Sequence, residues 1–171
     1  MTARTEQRTL SFSKAINEAL HQEMERDDSV FIIGEDVAKM GGDFGITSGI
    51  WAKWPKRAKD TALSESAIIG LCCGASVCGL RPVAELMFAD FAGVCFDQIV
   101  NNAAKLRYMY NGLAGAQMVI RAVTGAGIRC AYHHSQAVES WFMNIPGLVI
   151  VAPSTAYEAK GLLISAIRDN N

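Results

Sequence analysis

Four short segments of the sequence carry polar side chains that a purely structural core would not need. They are Gly34-Glu35-Asp36, Leu63-Ser64-Glu65-Ser66, Phe88-Ala89-Asp90-Phe91 and His133-His134-Ser135-Gln136. Carboxylates and imidazoles are the side chains that proteins use most for general acid–base catalysis. The segments are therefore candidates for proton transfer, although each also has an ordinary structural interpretation. Asp36, for example, is more simply explained as the cap of a turn.

Glu65 is the most informative of these acids because of the residues that follow it. Pattern alone favours a surface acid in the first turn of a helix, where the helix dipole stabilises negative charge. The next fifteen residues, from Ser66 to Leu80, are apolar on every side, which predicts a buried helix that begins away from the surface. A carboxyl group shielded from water holds its proton more tightly, which suits proton transfer near neutral pH.

His133 and His134 lie together in a glycine-flanked loop, in a chain that has three histidines. A hydrogen-bonded structural role is the commoner outcome for a histidine, and a general acid–base or substrate-orienting role is the alternative. The loop has no acidic neighbours, which argues against a metal site. The spacing of Phe91 favours a core residue over a ring that faces a planar ligand.

Other kinds of site lack the residues that they need. Gly125-Ala126-Gly127 has neither the GxxxxGK[ST] pattern nor a full GxGxxG fingerprint, so a phosphate-tailed cofactor would need a partner chain to hold that end. The five cysteines have no disulfide-like spacing, and Cys72-Cys73-x4-Cys78 has no second pair to complete a zinc site. Free thiols predict a reducing compartment, either the bacterial cytoplasm or the mitochondrial matrix.

Alternating helices and strands must position these residues. Apolar residues at helical spacing predict a helix from Phe12 to Met24 that Ser11 caps, and a final helix to Arg168 behind a Thr155–Glu158 capping box. Further helices are predicted at residues 66–80, 91–110 and 136–142, and strands at residues 30–33, 61–63, 82–88, 117–123 and 148–151.

This alternation predicts an α/β fold with three αβα layers and a mostly parallel sheet. Ligands of such folds gather at the carboxyl ends of the strands, where the four polar segments fall. The formal net charge of −1 gives no reason to expect nucleic acid or an anionic membrane surface. No apolar run approaches the roughly 20 residues that span a bilayer.

Taken in order, these segments resemble the β subunits of thiamine-diphosphate-dependent 2-oxoacid dehydrogenases, of the pyruvate and branched-chain type, and of acetoin dehydrogenase. The resemblance covers nearly the whole chain from Leu10, and ELMFADFAG followed by VTGAGIRCA is most similar to acetoin dehydrogenase. The matching stretches are FIIGEDVA (31–38), GITSGIW (45–51), DTALSE (60–65), GLRPVAELMFADFAGVCFDQIVNNAAKLRYM (79–109), HSQ (134–136), PGLVIVAPST (146–155) and AKGLLISAIRDNN (159–171).

The resemblance implies a transketolase-like pyrimidine-binding fold and a role for individual residues. Glu65 is expected to hydrogen-bond a ring nitrogen of the cofactor's aminopyrimidine, and Phe91 to pack against that ring. His134 is expected to handle protons on the substrate adduct and to help acyl transfer to lipoamide. Main-chain carbonyls expected to hold a potassium ion belong to Met118, Ala166, Asp169 and Asn171. His133 departs from the pattern, because the pyruvate and acetoin enzymes usually have Gln there.

The resemblance also implies partners. In this family the Mg²⁺ and diphosphate site belongs to an α subunit, so the active site lies between chains of a heterotetramer with two α and two β subunits. Family β subunits have a second α/β domain that docks on the lipoyl acyltransferase. We therefore expect a flexible N-terminus over residues 1–10 and the pyrimidine-binding domain alone over residues 11–171.

The resemblance implies that the chain catalyses decarboxylation of a 2-oxo acid, or cleavage of acetoin, with acyl transfer to lipoamide. It is expected to be active only in complex with the α subunit. One alternative is a subunit of a split transketolase or deoxyxylulose-phosphate synthase. Enzymes of that kind need basic and histidine residues for a sugar phosphate, and residues 121–129 offer few. The non-enzymatic alternative is an assembly module that keeps the fold without turnover.

Overall fold

A sheet of four parallel strands forms the centre of the computed structural model, which describes residues 8–171. The strands are β1 (Val30–Gly34), β2 (Ala58–Asp60), β3 (Arg81–Phe88) and β4 (Val119–Val123), in the spatial order β2-β1-β3-β4. The α-helices are α1 (Phe12–Arg26), α2 (Ile50–Lys53), α3 (Glu65–Val77), α4 (Leu106–Met109) and α5 (Ala156–Arg168). Within the expected flexible N-terminus, residues 1–7 lie outside the described residues, and residues 8–10 have no regular secondary structure.

Helices cover both faces of the sheet, and each face has its own apolar core. Leu20 of α1 and Leu163 of α5 belong to the core that includes Ile32 of β1. Ile69 of α3 belongs to the other core, together with Leu86 of β3. The predicted α/β fold with three layers and a parallel sheet is therefore confirmed.

The first and the last helix of the chain form as their capping residues predicted. The Ser11 side chain accepts a hydrogen bond from the Lys14 amide at 3.3 Å, which satisfies one of the free donors of the first turn of α1. Thr155 and Glu158 form the complete capping box at the start of α5. α1 and α5 pack against each other on the same face of the sheet.

The strand predicted at residues 148–151 does not form, and residues 148–154 have no regular secondary structure. The preceding turn explains the difference. The Lys105 ammonium donates to the Pro146 carbonyl at 2.9 Å, and the backbone of Gly147 lies against the Ala104 carbonyl. These contacts fix the turn before the segment, and a cavity lies between residues 148–151 and β4, so the β propensity of its valines and isoleucine is not satisfied by pairing.

The predicted helix over residues 91–110 is helical but irregular. It consists of a 3₁₀ turn at Ala89–Gly93, a π-helical segment at Gln98–Ala103 and the short helix α4. The Ala104 amide donates to the Ile99 carbonyl at 2.9 Å, five residues back. A π turn adds one residue per hydrogen-bonded ring, which a pattern with a period of 3.6 residues does not reveal.

Three other predictions need smaller corrections. The strand expected at residues 61–63 lies at β2, because Ala58 pairs in register with Ile32 of β1. The helix expected at residues 136–142 is a single 3₁₀ turn at Glu139–Trp141, and a further 3₁₀ turn spans Ala126–Ile128. Helix α3 is not buried on every side, since Leu71 is 52% exposed. None of the helices within residues 8–171 is both long and apolar enough to cross a membrane.

Candidate active site

The carboxyl ends of the parallel strands bring the polar segments to one edge of the sheet. Glu35 follows β1, and Phe91 lies three residues after the end of β3. Glu65 is the first residue of α3, which follows β2. This is the edge at which α/β folds bind ligands.

His134 packs against the two phenylalanines at the end of β3. Its ring centroid lies 4.6 Å from that of Phe88 and 5.2 Å from that of Phe91, with interplanar angles of 72° and 82°. Edge-to-face contacts of this kind are favourable for aromatic pairs. The Nδ1 atom of His134 is buried and has no hydrogen-bond partner among residues 8–171. The structure therefore brings Phe91 and His134, two of the residues singled out from the sequence, into direct contact.

Glu65 begins α3 at the same edge of the sheet. Its side chain is half-buried and takes part in no hydrogen bond within the described part of the chain. The Ser66 hydroxyl donates to the Val94 carbonyl at 2.8 Å, so the start of α3 is tied to the segment that follows Phe91. The burial expected of Glu65 from its sequence context is thus only partial.

Glu35 is the more deeply buried acid of this edge, with 8% of its surface exposed. Burial raises the pKa of Glu35, and the negative charges of Glu65, Asp36 and Asp43 raise it further. The same edge thus holds several carboxyl groups whose negative charges act on Glu35. Sequence reasoning placed Glu35 among the polar segments but did not anticipate its burial beside Glu65, which depends on how α3 packs against β1.

Gln136 connects three loops at this edge. Its side-chain Nε2 donates to Asp90 Oδ1 at 2.7 Å, and its amide donates to the same oxygen at 3.4 Å. Its carbonyl accepts hydrogen bonds from Thr124 Oγ1 at 3.1 Å and from the Gly125 amide at 3.3 Å. The sequence offered no signal for this contact, because 46 residues separate Asp90 from Gln136.

The four residues expected to bind potassium lie elsewhere. They line a cavity of about 1620 Å³ between β4, α5 and residues 146–153, and that cavity does not include Glu65, Phe91 or His134. The Asp169 carbonyl accepts a hydrogen bond from the Arg81 guanidinium at 2.8 Å. The Ala166 carbonyl accepts one from the Asp169 amide at 3.3 Å. A cation would therefore compete with the positive charge of Arg81, and potassium binding here stays a prediction.

Comparison with known families identifies the class of this fold and site. Residues 8–171 match the family model described as "Transketolase, pyrimidine binding domain". The chain belongs to the family of transketolase pyrimidine-binding domains.

Its relatives include β subunits of several dehydrogenases. The chain is 55% identical to the acetoin:2,6-dichlorophenolindophenol oxidoreductase subunit beta of Cupriavidus necator, over 96% of this chain and 52% of the relative. It is 48% identical to the 2-oxoisovalerate dehydrogenase subunit beta of Bacillus subtilis, over 95% and 50%. It is 43% identical to the mitochondrial pyruvate dehydrogenase E1 component subunit beta of Bos taurus, over 92% and 44%.

The similarity to acetoin and 2-oxoacid dehydrogenase β subunits, which the motifs predicted, is therefore confirmed. The chain spans about half the length of these relatives. A solved structure described as "Split gene transketolase, inactive beta4 tetramer" superposes with a TM-score of 0.72 at 22% identity, covering 95% of this chain and 49% of that one. At that identity the likeness concerns the fold alone.

Proposed function

We propose that this chain is the pyrimidine-binding domain of a β subunit in a thiamine-diphosphate-dependent dehydrogenase. The reaction is decarboxylation of a 2-oxo acid, or cleavage of acetoin, followed by acyl transfer to lipoamide. The observation that carries the proposal is the contact between His134 and Phe91 just after the carboxyl end of β3, the edge of the sheet at which Glu65 begins α3. The identity with dehydrogenase β subunits supports the same assignment.

The residues at this edge fit the aminopyrimidine of the cofactor. A flat ring with basic nitrogens needs an apolar contact on its face and an acid at its edge. Phe91 offers the aromatic contact, and Glu65 offers a half-buried carboxyl group with no hydrogen-bond partner among residues 8–171. The buried Nδ1 of His134 is a further polar atom whose hydrogen bond is left for a ligand.

Glu65, Phe91 and His134 each have one task in this proposal. Glu65 holds a proton against a ring nitrogen of the aminopyrimidine, and Phe91 fixes the plane of that ring. His134 donates and accepts protons at the substrate, a task that suits histidine because an imidazole can take up and release a proton near neutral pH. When bound, thiamine diphosphate supplies a thiazolium that serves as the electron sink.

The phosphate end of the cofactor belongs to a partner in this proposal. Within the described residues, no group of three or more His, Cys, Asp or Glu side chains is arranged to hold a metal ion. We assign Mg²⁺ and the diphosphate to an α subunit, in a heterotetramer of two α and two β subunits. Docking to a lipoyl acyltransferase and a location in the bacterial cytoplasm or the mitochondrial matrix belong to the same proposal.

Reconstitution tests the proposal. The chain is mixed with the α subunit of an acetoin or 2-oxoacid dehydrogenase, thiamine diphosphate and Mg²⁺, and reduction of 2,6-dichlorophenolindophenol is followed with acetoin, pyruvate or 2-oxoisovalerate. We expect turnover that Glu65→Gln lowers by about 100-fold or more, because a positioned acid–base group contributes on the order of 10²–10⁴-fold. Glu25→Gln, on the exposed side of α1, is the matched control and should leave the rate unchanged.

Three results would contradict the proposal. One is the absence of turnover with every α subunit and substrate, and another is equal turnover by the wild type and Glu65→Gln. The third is cleavage of sugar phosphates in place of 2-oxo substrates, which would favour the split-transketolase alternative. Calorimetry separates the assembly-module alternative, since only a cofactor-binding chain should bind the α subunit more tightly when thiamine diphosphate is present.

A further inference from the structure

The loop that carries His134 has little structure of its own to hold it. Residues 129–137 contain no helix or strand, and Arg129 and Ala131 have positive φ values of 60° and 62°. The Nδ1 of His134 and the hydroxyl of Ser135 have no hydrogen-bond partner within residues 8–171. The position of the imidazole therefore depends on its ring contacts and on what holds the residues next to it.

Gln136 is the best-held residue of this loop. Asp90 Oδ1 accepts hydrogen bonds from both its side-chain Nε2 and its amide, at 2.7 and 3.4 Å. On the other side, Thr124 and Gly125 donate to its carbonyl. We name the contact between Asp90 and Gln136 the Asp90–Gln136 latch. It joins the loop after β3 to the loop of His134.

The latch and the ring contacts come from the same turn. Asp90 lies between Phe88 and Phe91, and both of these rings contact His134. The other carboxylate oxygen, Asp90 Oδ2, is buried and has no partner among the described residues, so one oxygen makes all the hydrogen bonds of this side chain. Because Gln136 follows His134 by only two residues, fixing Gln136 restricts where the imidazole can lie.

We propose that Asp90 is a positioning residue that keeps the His134 imidazole against Phe88 and Phe91 by holding Gln136. The proposal rests on the proton-transfer role proposed for His134. Asp90 need not touch the substrate, and its negative charge is not required, since an uncharged carbonyl oxygen in its place can accept both hydrogen bonds. That difference separates a positioning role from a role in acid–base chemistry.

Nuclear magnetic resonance of the full chain tests the latch and does not require catalytic turnover. The chain has three histidines, so His→Gln variants assign each imidazole signal. The edge-to-face rings of Phe88 and Phe91 shift the His134 signals away from those of a free imidazole. Asp90→Ala should move these signals towards the free-imidazole position, whereas Asp90→Asn should leave them in place. His21 of α1 contacts Trp54 and none of the residues of the latch, so its signals report on the overall fold and should not move.

A second pair of variants keeps the test decisive if Asp90→Ala does not fold. Gln136 is exposed, so Gln136→Glu should fold while placing a carboxylate against Asp90. The repulsion should release the His134 signals. Asp90→Asn in the same chain should restore them, because the asparagine amide can donate to the introduced carboxylate. A double-mutant cycle of this kind measures the coupling between the two side chains.

Kinetics of the reconstituted complex supply the second readout. Asp90→Ala should lower kcat by up to about tenfold with little change in KM, the size expected from losing an ordinary hydrogen bond, and Asp90→Asn should restore kcat because its carbonyl oxygen accepts the same bonds. Unchanged His134 signals in Asp90→Ala and in Gln136→Glu would overturn the latch. Signals that move as expected in a chain that shows no turnover with any α subunit would instead contradict the proposed function and leave the latch standing.

Discussion

Glu85 of β3 and Arg121 of β4 lie opposite each other in the parallel register of the sheet and form a two-point ion pair. Arg121 Nε donates to Glu85 Oε2 at 2.7 Å, and Nη2 donates to Oε1. Only 2% of the Glu85 surface is exposed. Burial raises the pKa of Glu85, and the positive charge and hydrogen bonds of Arg121 oppose that rise.

Removing the arginine should therefore be costly. Arg121→Met leaves a buried carboxylate without its partner, and we expect the free energy of unfolding to fall by about 3–5 kcal/mol in urea denaturation. Adding Glu85→Leu to Arg121→Met should recover most of the loss, because two apolar side chains replace the pair. If Arg121→Met alone were as stable as the wild type, water would have to reach the ion pair.

The stability of the chain should depend on pH through Glu35. Its pKa in the folded chain lies above the ordinary value of 4.5, so the folded state binds its proton more tightly than the unfolded state. The contribution of Glu35 is therefore fully present below pH 4.5 and is lost as the pH rises through the folded-state pKa.

Glu35→Gln stays neutral at every pH, so its urea midpoint should exceed that of the wild type near neutral pH and match it at about pH 4. Glu25→Gln is the control, because Lys53 lowers the pKa of the exposed Glu25 and the variant should not raise the midpoint. Parallel pH profiles of stability for Glu35→Gln and the wild type would contradict this assignment.

Gly147 should tolerate no side chain. Its φ is +96°, and a Cβ atom would lie 2.0 Å from the Ala104 carbonyl oxygen. We expect Gly147→Ala to cost clearly more than the roughly 1–2 kcal/mol of a left-handed backbone alone, measured by urea denaturation. Gly112→Ala is the matched control, since its φ is +77° with no atom within 4 Å of the added Cβ. Equal losses in the two variants would show that residues 146–147 move away from Ala104 easily.

The capping box of α5 offers a smaller and cleaner test. Thr155→Ala removes the side chain that accepts from the Glu158 amide at 3.2 Å, which should lower the free energy of unfolding by about 1 kcal/mol. Ser165→Ala, at an exposed position inside the same helix, should change it by less than about 0.5 kcal/mol. Similar effects of both changes would mean that the cap contributes little to α5.

The two adjacent histidines should differ sharply in the reconstituted enzyme. His134→Gln should lower turnover by about 100-fold, the lower end of what a positioned acid–base group contributes, while thiamine diphosphate still binds. His133→Gln should retain most of the activity, because His133 is exposed and its ring contacts Tyr132 and His134 but not Phe91. The rates with 2-oxo substrates and calorimetry with the cofactor check both statements. A larger loss in His133→Gln than in His134→Gln would reverse the assignment.

The sequence pattern predicted those helices and strands whose conformation is determined by residues close to them in sequence. The cap of α1 at Ser11, the capping box of α5 and the continuous apolar run of β1 all depend on neighbours within a few residues. The motifs also indicated Phe91 and His134, which the fold brings into contact.

Features that depend on distant residues could not be predicted. Residues 148–151 have the composition of a strand, but the turn before them is fixed by Lys105 and Ala104, and a cavity lies between them and β4. The latch between Asp90 and Gln136 and the burial of Glu35 likewise require elements that are far apart in sequence. Side-chain spacing carries no information about such contacts, because they arise only when the layers pack.

The packing of α1 against α5 also affects how the chain folds during its synthesis on the ribosome. Arg168 of α5 donates to the buried carboxylate of Glu23 at 2.6 Å, and Lys160 donates to Glu18 at 2.9 Å. Translation proceeds from the N-terminus, so α1 emerges long before the helix that covers its apolar side. Until about 140 further residues have been made, the part of α1 that α5 covers stays open to water and to other nascent chains. Contacts this distant in sequence also slow folding, and newly made protein should depend on chaperones during this interval.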